Sequence, residues 1–168
     1  KELNVEGVDL SEESIKLLHP IKVHQKNLEK EILDNREKFY DIIFTKSVIE
    51  HLNSPLKFIE NCKKLLKDDG YLIIMTPSWY HHKFGPFYID YTHVTPFTLH
   101  SLRDIGTLGG FSKIKVEYFY QLPFTWNYSY LKIIPKLISF LRIPYYPMYE
   151  GLFPIKFPKN INTLIRFS

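Results

Sequence analysis

The stretch from Tyr40 to Pro77 reads YDIIFTKSVIEHLNSPLKFIENCKKLLKDDGYLIIMTP, and two short apolar runs in it flank a helical pattern. The runs at 42–44 and 71–75 lack polar alternation, which is typical of parallel strands covered on both faces. Between them, Ser54 and Pro55 suit the start of a helix, and Gly70 suits a left-handed helix end. The stretch therefore predicts a strand, a helix and a second, parallel strand.

The flanking sequence continues this alternation. Residues 4–9 predict a strand followed by a helix that Ser11 caps, residues 21–24 a weaker strand, and residues 29–39 a short charged helix. Residues 113–118 alternate in polarity and predict a strand near a sheet edge, and residues 161–167 predict the last strand. Strands that alternate with helices indicate an α/β domain, built on an open, mostly parallel sheet with helices on both faces.

The length and composition favour one cytoplasmic domain of 168 residues. No run of 18 apolar residues could span a bilayer, and the opening KELNVEGVD does not resemble a signal peptide. The single cysteine, Cys62, excludes an internal disulfide. We expect a core at 1–122, an aromatic and basic insertion or lid at 123–160, and a final strand at 161–168.

The net positive charge of the chain is concentrated in the tail. Residues 123–168 carry six basic residues and one acidic residue, and aromatic residues are frequent there. This composition suits a peripheral contact with an anionic membrane through residues 123–149, although a lid or core helix packed on the sheet has slightly more weight. No nucleic acid is expected as a partner, and the oligomeric state cannot be read from this sequence.

Candidate ligand-binding residues follow the predicted strands. In open α/β sheets ligands bind beyond the carboxyl ends of the strands, where Asp9 could accept both hydroxyls of a ribose. Asp9 could instead help to cap the next helix, and the two interpretations are evenly balanced. After the second strand, Asn27 and Leu28 could place an amide and an apolar side chain near a base.

The turn at 45–52, TKSVIEHL, follows the strand of the organising unit. Its position predicts that backbone groups of Ser47 and the imidazole of His51 face the ligand crevice. His51 could also be a hydrogen-bonded histidine at a helix end. We expect Glu50 to be a solvated charge.

An acid and an imidazole stand three residues apart at Asp90 and His93. An aspartate that orients a histidine is the minimum apparatus of a general base, so His93 is a candidate base with Asp90 as its orienting group. A structural hydrogen bond that closes the loop has equal weight. A metal site that adds His81 and His82 matches no standard spacing, so no metal is predicted.

Together these pieces resemble the class I S-adenosylmethionine-dependent methyltransferases of the small-molecule type, which have a Rossmann-like fold. The matching pieces are GVDLSEE at 7–13, Asn27-Leu28, YDIIFTKSVIEHL at 40–52, LLKDDGYLIIMTP at 65–77 and GGF at 109–111. The resemblance implies that Asp9, with Leu10 beside it, binds the ribose hydroxyls. It further implies that Asn27 and Leu28 contact the adenine, and that Lys46 and Ser47 contact the methionyl part of S-adenosylmethionine.

A narrower resemblance concerns DYTHVTPFT at 90–98, which is similar to a pattern in bacterial methyltransferases encoded with cell-surface glycan synthesis. It implies a sugar hydroxyl or a related glycan group as acceptor, with His93 as the base and Asp90 as its orienting group. From its place at the ligand crevice, His51 is the third candidate catalytic residue.

The family's first strand and glycine-rich loop should precede residue 4, so the central strand is missing from the chain as given. We expect either that the natural protein starts earlier or that this is a non-catalytic interaction module. An NAD-dependent oxidoreductase would also have an acidic residue at the end of a strand. That class of enzyme explains the sequence Glu50-His51-Leu52 less well than a methyltransferase does.

Overall fold

The computed structural model describes residues 3–82, 86–119 and 123–140 of the chain. Within these residues strands and helices alternate in the first half, and short helices follow, which confirms the predicted α/β class. In chain order they are β1 (Glu6–Asp9), α1 (Glu12–Leu17), β2 (Lys22–Gln25), β3 (Tyr40–Lys46), α2 (Pro55–Leu65), β4 (Leu66–Met75), α3 (Trp79–His82), α4 (Leu99–Leu108), α5 (Pro123–Asn127) and α6 (Ile133–Phe140). Short 3₁₀ helices lie at Ile49–His51, Pro86–Ile89 and Ser129–Lys132.

The described residues cluster into two compact units, each of which draws on separate segments of the chain. The first contains the described residues up to 44 with 54–73 and 105–112, and the second contains 45–53, 74–104 and the described residues from 113 onward.

The strands pair in two small sheets within the described part of the chain. β1 and β2 run parallel, with Asp9 opposite Gln25, and β3 neighbours β4 in the other sheet. Ser11 caps α1 as predicted, because its side chain accepts a hydrogen bond from the backbone N–H of Ser14. The carboxyl ends of β1 and β2 therefore lie side by side at one sheet edge.

The predicted strand, helix and strand at 40–77 are confirmed, but the end of the helix is not where the sequence placed it. Pro55 opens α2 as expected, and the helix stops at Leu65, after which Leu66 is already extended. The terminal carbonyls of Lys64 and Leu65 accept hydrogen bonds from the N–H groups of residues 38 and 39. These carbonyls need no left-handed glycine cap, and Gly70 lies inside β4.

The prediction that both faces of these strands are covered is wrong for the described residues. Ile42 and Phe44 of β3 are 58% and 59% exposed, and Tyr71 and Ile73 of β4 are exposed as well. Their neighbours in sequence are more buried, so one face of this sheet packs and the other is open. Periodicity alone could not distinguish this arrangement, because every residue of the apolar run is hydrophobic.

Two further predicted elements do not form. Residues 29–39 contain turns instead of a helix, because Asn35 and Lys38 adopt positive φ angles of 56° and 49° that a right-handed helix excludes. Residues 113–118 form no strand, although their burial alternates as the sequence predicts.

At the carboxyl-terminal side, α6 begins at Ile133 after a 3₁₀ turn. The predicted last strand at 161–167 lies outside the described residues. Across the residues that the structure describes, no helix combines the length and the apolar character needed to cross a membrane.

Candidate functional site

The predicted ribose and adenine residues lie together at the carboxyl edge of β1 and β2. Asp9 is partly buried, and one oxygen of its carboxylate accepts the Ser11 N–H at 2.7 Å. Among the described residues no further hydrogen bond to this carboxylate is formed. The side chain of Gln25 donates to the Leu10 carbonyl at 3.1 Å and so fixes the backbone just after Asp9. Asp9 thus helps to begin α1, as one of the two interpretations holds, whereas its binding of a ribose stays a prediction.

Asn27 and Leu28 follow β2 in a tight turn. The side-chain oxygen of Asn27 accepts the N–H of Glu29 at 2.9 Å, and its backbone carbonyl accepts from residues 30 and 31. The Asn61 side chain of α2 donates to the Leu28 carbonyl at 2.8 Å. The turn is therefore anchored from two sides.

The turn after β3 begins with a strained residue in the second unit. Ser47 has a φ of 54°, a left-handed conformation that non-glycine residues seldom adopt, and its N–H donates to the Met75 carbonyl at 2.8 Å. Strain of this kind clusters at functional sites, where surrounding bonds hold it in place. Lys46, the residue before it, is exposed.

Glu50 was predicted to be a solvated charge, and this is wrong. It lies in the 3₁₀ helix Ile49–His51 with 0% of its surface exposed. One carboxylate oxygen accepts the hydroxyl of Thr76 at 2.9 Å, whereas the other is buried without a hydrogen-bond partner in the described part of the chain. Its backbone carbonyl accepts the N–H groups of Val94 and Thr95. The buried Glu50 therefore links the turn after β3 to the loop at 90–95.

His51 is held by this loop. Its Nδ1 lies 2.8 Å from the hydroxyl oxygen of Thr92, and that hydroxyl donates its own hydrogen to Asp90. Because the hydroxyl hydrogen is committed to the carboxylate, Nδ1–H of His51 is the donor toward Thr92. Hydrogen bonds from the side chain and backbone of Thr92 hold the pKa of Asp90 below its usual value, with smaller contributions from the two nearby histidines. The lone pair of His51 is thus on Nε2.

His93 is oriented by a different group from the one predicted. Its Nδ1 donates to the backbone carbonyl of Phe87 at 2.6 Å, while Asp90 stays 3.9 Å from Nε2, beyond hydrogen-bond distance. Asp90 therefore orients His51 through Thr92, and the Phe87 carbonyl orients His93. The lone pair of His93 is on Nε2 as well.

Glu50, His51 and His93 converge. One candidate ligand atom from each lies within 4.8 Å of the others, and the two imidazole rings stand 4.6 Å apart. His81 and His82 belong to α3, but their side chains lie outside the described residues. The structure thus brings His51 and His93 together with Glu50, which the sequence alone predicts to be a solvated charge.

The geometry can be compared with known proteins. A family model described as a methyltransferase domain matches residues 1–116. The chain belongs to this methyltransferase family. The expected enzyme class and the expected cofactor, S-adenosylmethionine, are thereby confirmed at the level of the family.

The solved structures support the fold. A SAM-dependent methyltransferase from Archaeoglobus fulgidus superimposes with a TM-score of 0.63 at 23% identity, and the match covers 83% of this chain and 70% of that one. At this identity the likeness concerns the fold alone.

Two curated relatives match in part. The chain is 45% identical over 49 residues to the ubiquinone biosynthesis O-methyltransferase of Glaesserella parasuis, which covers 29% of this chain. The chain is also 27% identical to the mitochondrial lysine–tRNA ligase of Schizosaccharomyces pombe over 121 residues, a match that covers 67% of this chain. The chain spans only 20% and 22% of the length of these two relatives.

Proposed function

We propose that the protein transfers the methyl group of S-adenosylmethionine to the hydroxyl oxygen of a small-molecule or glycan acceptor. The observation that carries the proposal is the cluster of Glu50, His51 and His93, which joins the turn after β3 to the loop at 90–95. Two relatives that match parts of the chain are named as O-methyltransferases, which favours oxygen as the acceptor atom.

The first unit has residues that fit the nucleoside part of the cofactor. The carboxylate oxygen of Asp9 that Ser11 does not use is suited to accept ribose hydroxyls. The Asn27 oxygen already accepts one N–H and retains a lone pair for the adenine amino group. Leu10 and Leu28 offer apolar surface beside them. The contact of Lys46 and Ser47 with the methionyl part stays a prediction.

When bound, S-adenosylmethionine supplies a methyl group on a positively charged sulfur, open to in-line attack by oxygen. The chain's own part is to hold the acceptor and to promote loss of its hydroxyl proton. His51 and His93 are suited to this, since both keep a basic Nε2 whose position the Nδ1–H bond fixes. Buried Glu50 places its carboxyl group beside the two rings.

The test is product formation by the full-length protein with labelled S-adenosylmethionine and two acceptor panels, one phenolic and one of sugars and sugar nucleotides. His93→Ala should lower turnover by about 10²–10⁴-fold and leave cofactor affinity unchanged. His100→Ala is the matched control, because His100 is exposed on α4. Full activity of His93→Ala, or methyl transfer only to nitrogen acceptors, would contradict the proposal.

We also propose that α5, the 3₁₀ turn at 129–132 and α6 contact an anionic membrane. Trp126, Tyr130, Ile133 and Leu137 are exposed, which supports an interfacial surface, and Lys132 lies among them. Pelleting with liposomes should depend on anionic lipid and should fall when Lys132 is changed to Gln. Equal pelleting with neutral vesicles would refute the electrostatic contact.

A further inference from the structure

We propose that Glu50, His51 and His93 bind a divalent transition-metal cation. The proposal rests on the proposed function only for the role of the cation, not for its binding. All three residues lie within the second unit, and their candidate ligand atoms are within 4.8 Å of one another.

The buried carboxylate is the first argument. Glu50 is fully buried, yet its Oε1 has no hydrogen-bond partner in the described part of the chain, while Oε2 is held by Thr76. An unpaired buried charge is costly, and groups of this kind are normally paired or coordinate a metal. A cation at the cluster supplies the missing partner.

The histidines are the second, independent argument. Histidines that bind metals almost always donate the other ring N–H to a carboxylate, a backbone carbonyl or a similar acceptor, which fixes the tautomer. His93 donates Nδ1–H to the Phe87 carbonyl, and His51 donates to Thr92, which passes the bond on to Asp90. Both rings therefore keep Nε2 free to coordinate.

The ligand types indicate the class of metal. Two imidazoles and one carboxylate suit zinc, iron, manganese or cobalt, and they leave coordination positions open. Ligand atoms bound at about 2.1 Å from a metal stand roughly 3–3.5 Å apart, so side-chain shifts of about 1 Å complete the site.

A cation held by Glu50, His51 and His93 would act as a Lewis acid and would lower the pKa of an acceptor hydroxyl bound beside it. The hydroxyl proton leaves to solvent, and an oxygen electron pair forms the bond to the methyl carbon. The carbon–sulfur bond breaks with its electrons left on sulfur, which gives the methyl ether and S-adenosylhomocysteine. The histidines then act as ligands that place the acceptor.

The experiment is titration of the full-length, metal-stripped protein with Zn²⁺ by calorimetry and with Co²⁺ by visible absorption. The wild type should bind one equivalent of either metal. Glu50→Gln should weaken binding at least about 100-fold, and Thr92→Val, an exposed change that removes the support of His51, about 10–100-fold. The controls are Glu117→Gln and His100→Gln, both exposed and outside the cluster.

Absence of Zn²⁺ binding by the wild type overturns the inference, and so does equal affinity in the wild type and Glu50→Gln. Thermal melts with and without Zn²⁺ show whether each variant is folded. If methyl transfer resists chelation while His93→Ala abolishes it, the cation is refuted and the proposed function stands. If Zn²⁺ binds at Glu50 but no hydroxyl is methylated, the site stands and the function fails.

Discussion

Replacement of Glu6 by glutamine should cost substantial stability, because Glu6 links three segments of the first unit. Its carboxylate accepts two hydrogen bonds from Arg36, each of 3.1 Å, one from Tyr40 at 2.6 Å and one from His24 at 3.1 Å. The donors in this cluster come from β2, from β3 and from the turn before β3. Glu6 stands three residues before Asp9 in β1, so the cluster also positions the proposed ribose-binding carboxylate.

The size of the stability loss expected for Glu6→Gln follows from the lowered pKa of Glu6. Hydrogen bonds from Arg36 and then from Tyr40 lower the pKa of Glu6 from 4.5 to about 2, although burial opposes the change. At about 1.36 kcal/mol per tenfold change in acidity, this corresponds to about 3.4 kcal/mol. The Glu6 side chain is 12% exposed and that of Arg36 is 21% exposed. Solvent therefore screens part of the interaction, and we expect about 2 kcal/mol.

The direction of the change in the pKa of Glu6 determines how the stability loss depends on pH. The pKa of Glu6 is lower in the folded than in the unfolded protein. Its contribution to the free energy of unfolding is therefore fully present above about pH 4.5 and is lost as the pH falls toward about 2. Urea denaturation at pH 7 should show Glu6→Gln about 2 kcal/mol less stable than wild type, and the difference should shrink below pH 4.5. Glu37→Gln, an exposed neighbour, should change stability by under about 0.5 kcal/mol. A loss below about 0.5 kcal/mol for Glu6→Gln at pH 7, or a difference that does not vary with pH, would refute the reasoning.

Three further outcomes are expected. Asp9→Ala should raise the dissociation constant for S-adenosylmethionine by roughly 10–100-fold. Asp69→Ala, an exposed change on β4, is the control and should leave that constant unchanged. Unchanged affinity of Asp9→Ala excludes Asp9 as a ligand of the cofactor. Gly109→Ala should destabilise by about 1–3 kcal/mol, because a Cβ there overlaps Cγ2 of Ile59, and Ile59→Ala in the same chain should make the change less than additive. Burial raises the pKa of the Cys62 thiol to about 12, so a thiol reagent at pH 8 should react only after denaturation.

The sequence predicted those parts of the fold that local patterns determine. β3, α2 and β4 follow from an apolar run, a Pro at a helix start and a second apolar run, all within 38 residues. The end of α2 was misjudged because its carbonyls are satisfied by the backbone of residues 38 and 39, a contact that spans 26 residues. A helix end fixed by a distant segment leaves no local signal.

The candidate site was predictable in part for the same reason. Asp9 and Asn27 could be proposed as ligand-binding residues because Asp9 ends β1 and Asn27 lies two residues after β2, and strand ends can be read from hydrophobic patterns. Glu50 was missed because its burial depends on Thr76, 26 residues away, and on the backbone of residues 94 and 95. A glutamate in a three-residue helical turn carries no sequence pattern that distinguishes the buried state from the solvated one. The signal available was its place beside His51, in the turn that follows the end of β3.

The loop at 90–95 and the turn at 47–52 depend on each other, and this explains why the predicted pairing of Asp90 with His93 does not form. The Glu50 carbonyl accepts hydrogen bonds from the N–H groups of Val94 and Thr95, so backbone contacts fix the part of the loop that carries His93. The N–H and hydroxyl of Thr92 then hold Asp90, and the Thr92 hydroxyl oxygen is left to accept from His51. Through Thr92, Asp90 therefore orients the histidine that lies 39 positions earlier in the chain. His93 owes its orientation to the uncharged carbonyl of Phe87, so Asp90 and His93 do not form the predicted pair.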